Sequence, residues 1–273
     1  MGEGQGEGHI MIGIIGAGNM GMAIASGLRE RFLVSDEDLS KLKAIKNRKV
    51  SIARSNVDLA RQSNVIILAV KPQDIEKVLK EIKPHIKEKL IISIAAGVKT
   101  GSIEKALGKV AIIRVMPNMP AMVGKGISAI SRGRFAGLSD FKTASRIFSN
   151  VGEIVEVKEN MMDAVTAVSG SGPAYYFLFT YLLQKAAQAS GLKKDIAVKL
   201  ARAVFIGAAE IVKSKDLSME ELVKKVASKG GTTEAALKVF KDKNLSNIIK
   251  QAVKSASLKS SLIHKTSHTR FVN

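Results

Sequence analysis

From residue 11 the chain opens on a short apolar, β-branched run, "MIGII", which breaks at glycine and gives way to the spacing of a helix over residues 19–31. The same exchange of periods, two and then about 3.6, recurs along the first half. Extended patterns fall at residues 32–35 and 65–70, each followed by a helical one, at 40–46 and 74–82. Further extended runs lie at 90–94, 111–116, 126–130 and 153–157. Strands alternating with helices imply βαβ units and a doubly wound, mostly parallel sheet of the Rossmann-like α/β class. Near residue 160 the pattern changes, and every later apolar repeat is helical. It is punctuated at Ser169-Gly170-Ser171-Gly172-Pro173, Gly191, residues 214–218 and Gly230-Gly231. The chain therefore divides into an α/β domain at 11–159 and an all-α domain at 160–273. Residues 174–189 are apolar around the whole helical circumference, which predicts burial between helices and in part across a subunit interface.

Composition narrows the classes. The 273 residues are 46% hydrophobic, enough for a core in each domain. With no cysteine there is no disulfide, thiolate zinc site or cysteine nucleophile, and no metal site is expected. No apolar run reaches the roughly 18 residues of a membrane span, so a cytoplasmic protein that does not engage membranes is expected. Residues 1–10, "MGEGQGEGHI", read as an expression leader before a natural start at Met11. The net charge of +19 comes from lysines interleaved with acids on helices, as at 74–89 and 193–225. Without a basic block carrying aromatics, this describes a solvated surface that steers anionic small molecules, and no nucleic-acid partner is expected.

The sharpest motif is "IGIIGAGNMG". Gly16, Gly18 and Gly21 form GxGxxG directly after a strand and at the opening of a helix. That context lets the turn Gly16, Ala17, Gly18, Asn19, Met20, Gly21 present helix N–H groups to a pyrophosphate. Asp36 stands 20 positions after Gly16, at the end of the second strand, where a carboxylate meets a ribose hydroxyl. The neighbouring Ser35 and Glu37, without an arginine, favour NADH over NADPH on charge. Lys41 or Arg31 can offset this, so the cofactor is NADPH or NADH.

Hydroxyacid dehydrogenases need a base for the hydroxyl proton. His9, His85, His264 and His268 accompany no glycine motif, and Tyr176 stands near the place of the lysine such enzymes carry. An oxidoreductase without an evident acid or base suits a substrate that is already activated, such as a protonatable imine.

Five further stretches carry a resemblance. "LAVKPQ" (68–73), "SIAAGV" (93–98), "RVMPNMPAMVGKG" (114–126), "DAVTAVSGSGPAY" (163–175) and "ASKGGTTEAALKVF" (227–240) together resemble the pyrroline-5-carboxylate reductases, from residue 11 to about residue 256. The departures are Lys229, where the family usually has proline, Asp36-Glu37 at the ribose end, and a tail from Ser257 without recognisable pattern, expected to be disordered. The resemblance implies NAD(P)H-dependent reduction of 1-pyrroline-5-carboxylate to L-proline, the last step of proline biosynthesis, by a homodimer or higher homo-oligomer pairing through the C-terminal helices.

Residue by residue, the resemblance makes Gly230, Gly231 and Thr232 a helix start that closes on the substrate carboxylate. It sets Thr233 beside the ring nitrogen as the catalytic hydroxyl; without the family match, Thr232 and Thr233 read as ordinary capping threonines. Asn56 either caps a helix or meets the adenosine ribose. Ala69, Val70, Lys71 and Pro72 edge the dinucleotide at a strand end, and Ala96, Gly97 and Asn118 lie at the carboxyl ends of later strands, where open α/β sheets bind ligands. Ser169, in Ser169-Gly170-Ser171-Gly172-Pro173, hinges the domains, touches substrate or serves tight backbone packing alone. Asp216 is either a loop aspartate or an acid near the substrate amine.

Overall fold

The structure, a computed structural model, describes the backbone of residues 10–43, 45 and 49–270, and side chains through Leu262. The expected leader, except Ile10, and the side chains of His264 and His268 lie outside the described residues. The chain forms two compact units, Met1–Ser171 together with Ser255–Asn273, and Gly172–Lys254.

In the first unit β1 (Ile12–Ile15), β2 (Phe32–Ser35), β4 (Val65–Leu68) and β5 (Leu90–Ser93) are buried at every position. Such strands have no polar face because helices cover both sides of the sheet. The period of two sorts their side chains into two cores. Ile12, Ile14, Val34, Ile67, Ile92 and Ile113 face α1 (Asn19–Gly27) and α6 (Leu138–Ser149). Ile15, Ile66, Leu68, Ile91 and Ile112 face α3 (Asn56–Gln62), α4 (Ile75–Ile82) and α5 (Thr100–Leu107).

The sheet has eight strands in the order β3-β2-β1-β4-β5-β6-β7-β8. Here β3 is Val50–Ile52, β6 Ala111–Met116, β7 Gly126–Arg132 and β8 Gly152–Glu156. All neighbours pair in parallel except β6 with β7. Strand order reverses between β1 and β4, which opens a crevice at their carboxyl ends. After β8 the chain makes a 3₁₀ turn (Glu159–Met161), the short α7 (Met162–Val165) and a π-turn (Thr166–Gly170), whose Thr166 carbonyl accepts from Ser171 N–H at 2.9 Å.

The second unit contains α8 (Gly172–Ala189), α9 (Lys194–Ser214), α10 (Met219–Val226), α11 (Thr232–Asp242) and the start of α12 (Leu245–Arg270). Two expectations are corrected. Burial of residues 174–189 between helices fails within one chain: Tyr176, Phe177 and Leu182 are 65%, 50% and 54% exposed. Tyr176 meets Phe205 of α9 and Phe179 meets Phe240 of α11, which covers only part of an apolar cylinder. The tail is also not disordered from Ser257, since α12 continues to Arg270, and Ser260, 4% exposed, donates to Asp163 Oδ1 at 2.7 Å. A serine-rich composition hid a helix that a tertiary anchor holds.

Candidate dinucleotide cleft and GGTT helix start

The turn after β1 is built by three glycines with different reasons. Gly16 has φ +107, and a Cβ on it would stand 2.5 Å from the carbonyl oxygen of Ala69 at the end of β4. Only glycine lets the two loops touch at the switch point. A Cβ on Gly21 would meet the Gly16 carbonyl oxygen at 2.1 Å, so α1 rests directly on the turn. Gly18 caps α1 without a side-chain hydrogen bond, and a Cβ there would meet nothing within 4 Å. The first-turn N–H groups, including those of Asn19 and Met20, therefore have no side-chain competitor, and the open space at Gly18 fits a pyrophosphate.

From this turn a cleft of about 510 Å³ runs past Asp36 and Asn56 to Ala69, Val70, Lys71 and Gln73. Pro72 opens the 3₁₀ turn that follows Lys71. Asp36 Oδ2 accepts from Ala17 N–H at 2.7 Å, tying the glycine turn to the end of β2, and Oδ1 accepts from Asp38 N–H at 2.8 Å and from Lys41 Nζ at 3.3 Å. Glu37 pairs with Lys77 of α4. Ser40 donates through its hydroxyl and its N–H to Asp38, which holds that carboxyl below its usual range. The carboxylates that follow β2 are thus charge-compensated rather than bare acid. Asn56 lies one residue inside α3, whose cap is Ser55; its Oδ1 accepts from Ser35 Oγ at 2.8 Å and its Nδ2 donates to Glu81 at 2.7 Å. Sequence reasoning missed Gln73 and Lys77, although "LAVKPQ" contains the first. The Glu37–Lys77 pair spans 40 positions and leaves no local pattern.

Ala96 and Gly97, the latter at φ +72, follow β5, and Asn118 follows β6. The Asn118 amide is 8% exposed and engaged at both ends, donating to the Ser169 carbonyl at 3.2 Å and accepting from Ile127 N–H at 2.9 Å. Ser169 Oγ donates back to the Val165 carbonyl at 3.0 Å.

In the helical unit Gly230 takes φ +72 and donates its N–H to Glu234 at 2.7 Å. Gly231 caps α11 without a side-chain hydrogen bond, and a Cβ there would stand 2.4 Å from Ser228 Oγ. Thr232 and Thr233 form the first turn. A concavity of about 590 Å³ beside them is lined by the two glycines, Glu234, Lys238 and Lys241. Asp216 is exposed in the loop between α9 and α10. Among the described residues no group of three or more His, Cys, Asp or Glu is placed to hold a metal, and no helix is long and apolar enough to cross a membrane.

A glycine turn with an open phosphate seat, set at the reversal of a parallel sheet and followed by a helical unit, defines an NAD(P)-dependent oxidoreductase of the Rossmann-like class. Residues 11–97 match the model of the coenzyme F420-dependent NADP oxidoreductases, and residues 159–263 that of pyrroline-5-carboxylate reductase dimerisation. The chain belongs to the pyrroline-5-carboxylate reductase family. It is 38% identical to the pyrroline-5-carboxylate reductase of Synechocystis sp. over 94% of this chain and 99% of that one. Among solved structures it resembles the enzyme of Coxiella burnetii (36% identity, TM-score 0.86, 92% and 97% of the two chains). It also resembles that of Plasmodium falciparum with NADP bound (32%, TM-score 0.83, 95% and 100%).

Proposed function

We propose that this protein reduces 1-pyrroline-5-carboxylate to L-proline, the closing step of proline biosynthesis, with NADPH or NADH as reductant, as a cytoplasmic homodimer or larger homo-oligomer. The observation that carries this is the likeness to reductases of that name across 94% of the chain, through both the cleft and the helical unit. When bound, the dinucleotide supplies a hydride to the C=N carbon. The turn Gly16 to Gly21 would seat the pyrophosphate, with Ser35, Asp36 and Asn56 at the adenosine ribose and Ala69, Val70, Lys71 and Pro72 along the strand edge. Ala96, Gly97 and Asn118 would shape the nicotinamide end. Since the Asn118 amide already serves Ser169 and Ile127, its part there is to hold loops as much as to touch the ring.

Toward the substrate, Gly230, Gly231 and Thr232 would receive the carboxylate, a role supported by the side-chain-free cap of α11 and the partial positive charge of a helix start. Thr233 would hold the ring nitrogen by a hydrogen bond, with Ser169 and Asp216 completing the list. A threonine hydroxyl is too weak an acid to protonate an imine, so the iminium proton comes from water and Thr233 orients the ring. The test follows absorbance at 340 nm with freshly made pyrroline-5-carboxylate and either NADH or NADPH. Rapid oxidation is expected. None with either, despite cofactor binding, would move the protein to a reductase of another small imine or carbonyl acid.

A further inference from the structure

Arg114 is the one charged residue of "RVMPN", and neither the cleft nor the helix start uses it. It lies in the middle of a sheet strand, 4% exposed, with buried Ser93 of β5 and Ser131 of β7 as its register partners on either side. Its Nη1 stands 3.5 Å from Glu159 Oε1, and among the described residues Nη2 has no hydrogen-bond partner. Burial pulls the guanidinium below its usual range, opposed by the charges of Glu159 and Asp163. It remains charged. A buried guanidinium with an unsatisfied donor is a poor way to stabilise a sheet, because an apolar residue of similar volume does at least as well; what its ion pair can supply is a unique geometry.

The geometry it fixes connects three loops. Glu159 accepts from Thr100 N–H at 2.7 Å and from Thr100 Oγ1 at 3.0 Å, holding the start of α5 directly after the Ala96-Gly97 turn. Arg114, Met116 and Asn118 alternate along the chain from β6. Met116 Cε would stand 2.9 Å from a Cβ on Gly170, and Asn118 binds the Ser169 carbonyl. The Arg114–Glu159 pair thus ties β6 to the β5–α5 turn and to the start of segment 159–170, and Met116 and Asn118 extend the contact from β6 to the π-turn. Resting on the reductase reading above, the geometry points to Arg114 as a positioning residue that, through Glu159, sets the loops at the nicotinamide end for hydride transfer without touching substrate or cofactor.

The π-turn favours this role. An extra residue in a helical turn leaves the i→i+4 ladder broken, so segment 159–170 needs an outside hold to keep one conformation. Part of that hold comes from Ser260 Oγ, which donates to Asp163, and from Asn118, which donates to the Ser169 carbonyl, whereas Met161 and Val168 are 52% and 62% exposed and border an apolar groove with Ile127 and Val155.

The test compares Arg114→Met, Arg114→Lys and Glu159→Gln with the parent protein. Four quantities are measured: kcat and KM, the primary deuterium isotope effect with 4-deuterated cofactor, cofactor affinity by nicotinamide fluorescence, and amide exchange of residues 159–170 without cofactor. Expected for Arg114→Met is a kcat lowered roughly 10- to 100-fold, the cost of a small misplacement. Cofactor affinity should be unchanged, the isotope effect larger and exchange of 159–170 faster, while Arg114→Lys recovers part of each. Glu159 is a quarter exposed, so Glu159→Gln should fold even if Arg114→Met were to fail, and it should show the same pattern more weakly. Unchanged kcat in folded variants overturns the proposal, as does activity lost in step with folded protein at an unchanged isotope effect. A parent protein that binds cofactor but reduces no pyrroline-5-carboxylate counts against the reductase reading; the clamp then stands or falls on whether the variants loosen 159–170.

Discussion

Gly16 and Gly18 look alike in the motif and do different work. Gly16→Ala forces a side chain at φ +107 against the Ala69 carbonyl, so it should lower the unfolding midpoint as well as cofactor affinity. A Cβ at Gly18 meets no protein atom within 4 Å, so Gly18→Val should leave the midpoint nearly unchanged while abolishing dinucleotide binding; calorimetry and fluorescence titration separate the two. Thr233→Ala should lower kcat by roughly 10²- to 10³-fold, the range for losing one preorganised donor, with cofactor affinity intact. Unchanged kinetics would remove Thr233 from the chemistry. At this scale the sequence was informative where a residue type is itself the reason, as with the glycines. It was silent on Asp36 as a tie to Ala17 N–H and on Arg114, because each depends on a partner 19 or 45 positions away.

Elements were legible where period and punctuation agree. The β6 range matches the extended run at 111–116, and α11 begins at Thr232 as its glycine pair dictates. Three elements were not read: β3, α5 and α6. β3 is a three-residue edge strand with two exposed positions, too short for alternation to show, and α5 opens on Thr100-Gly101-Ser102, residues that usually signal a turn. Its start is held instead by Glu159 from another element. Local capping is testable at α10, where Ser218 and Glu221 form a reciprocal box that holds the Glu221 carboxyl below its usual range. A depressed folded value means that this contribution is complete above the ordinary glutamate range and is lost as pH falls through the depressed value. Amide exchange in α10 should therefore accelerate on acidification more in the parent than in Glu221→Gln, after correction for intrinsic exchange.

For the whole molecule, the exposed apolar residues of 174–189 point to assembly. In one chain α8 leaves Tyr176, Leu178 and Leu182 at least half exposed, more apolar surface than a monomer ordinarily carries, and the helix lies inside the matched dimerisation region. A C2 interface would place the same stripe on both partners. Leu178→Glu should shift the protein in light scattering after size exclusion from its oligomeric mass toward 29.2 kDa, or reduce its solubility; an unchanged mass would remove this face from the interface.

The sequence by itself determined the alternation of strands and helices, the glycine turn, the all-helical second half and the family. Each is written in local period, in residue types with special backbone freedom, or in motifs a few residues long. Only the tertiary structure decided that β7 turns antiparallel to β6, that Asp36 and Glu37 are matched by Lys41 and Lys77, that α12 continues to Arg270, and that Arg114 and Glu159 link β6 to the β5–α5 turn and to segment 159–170. These depend on which distant segments meet, and a chain's local pattern carries no record of the partner across a sheet.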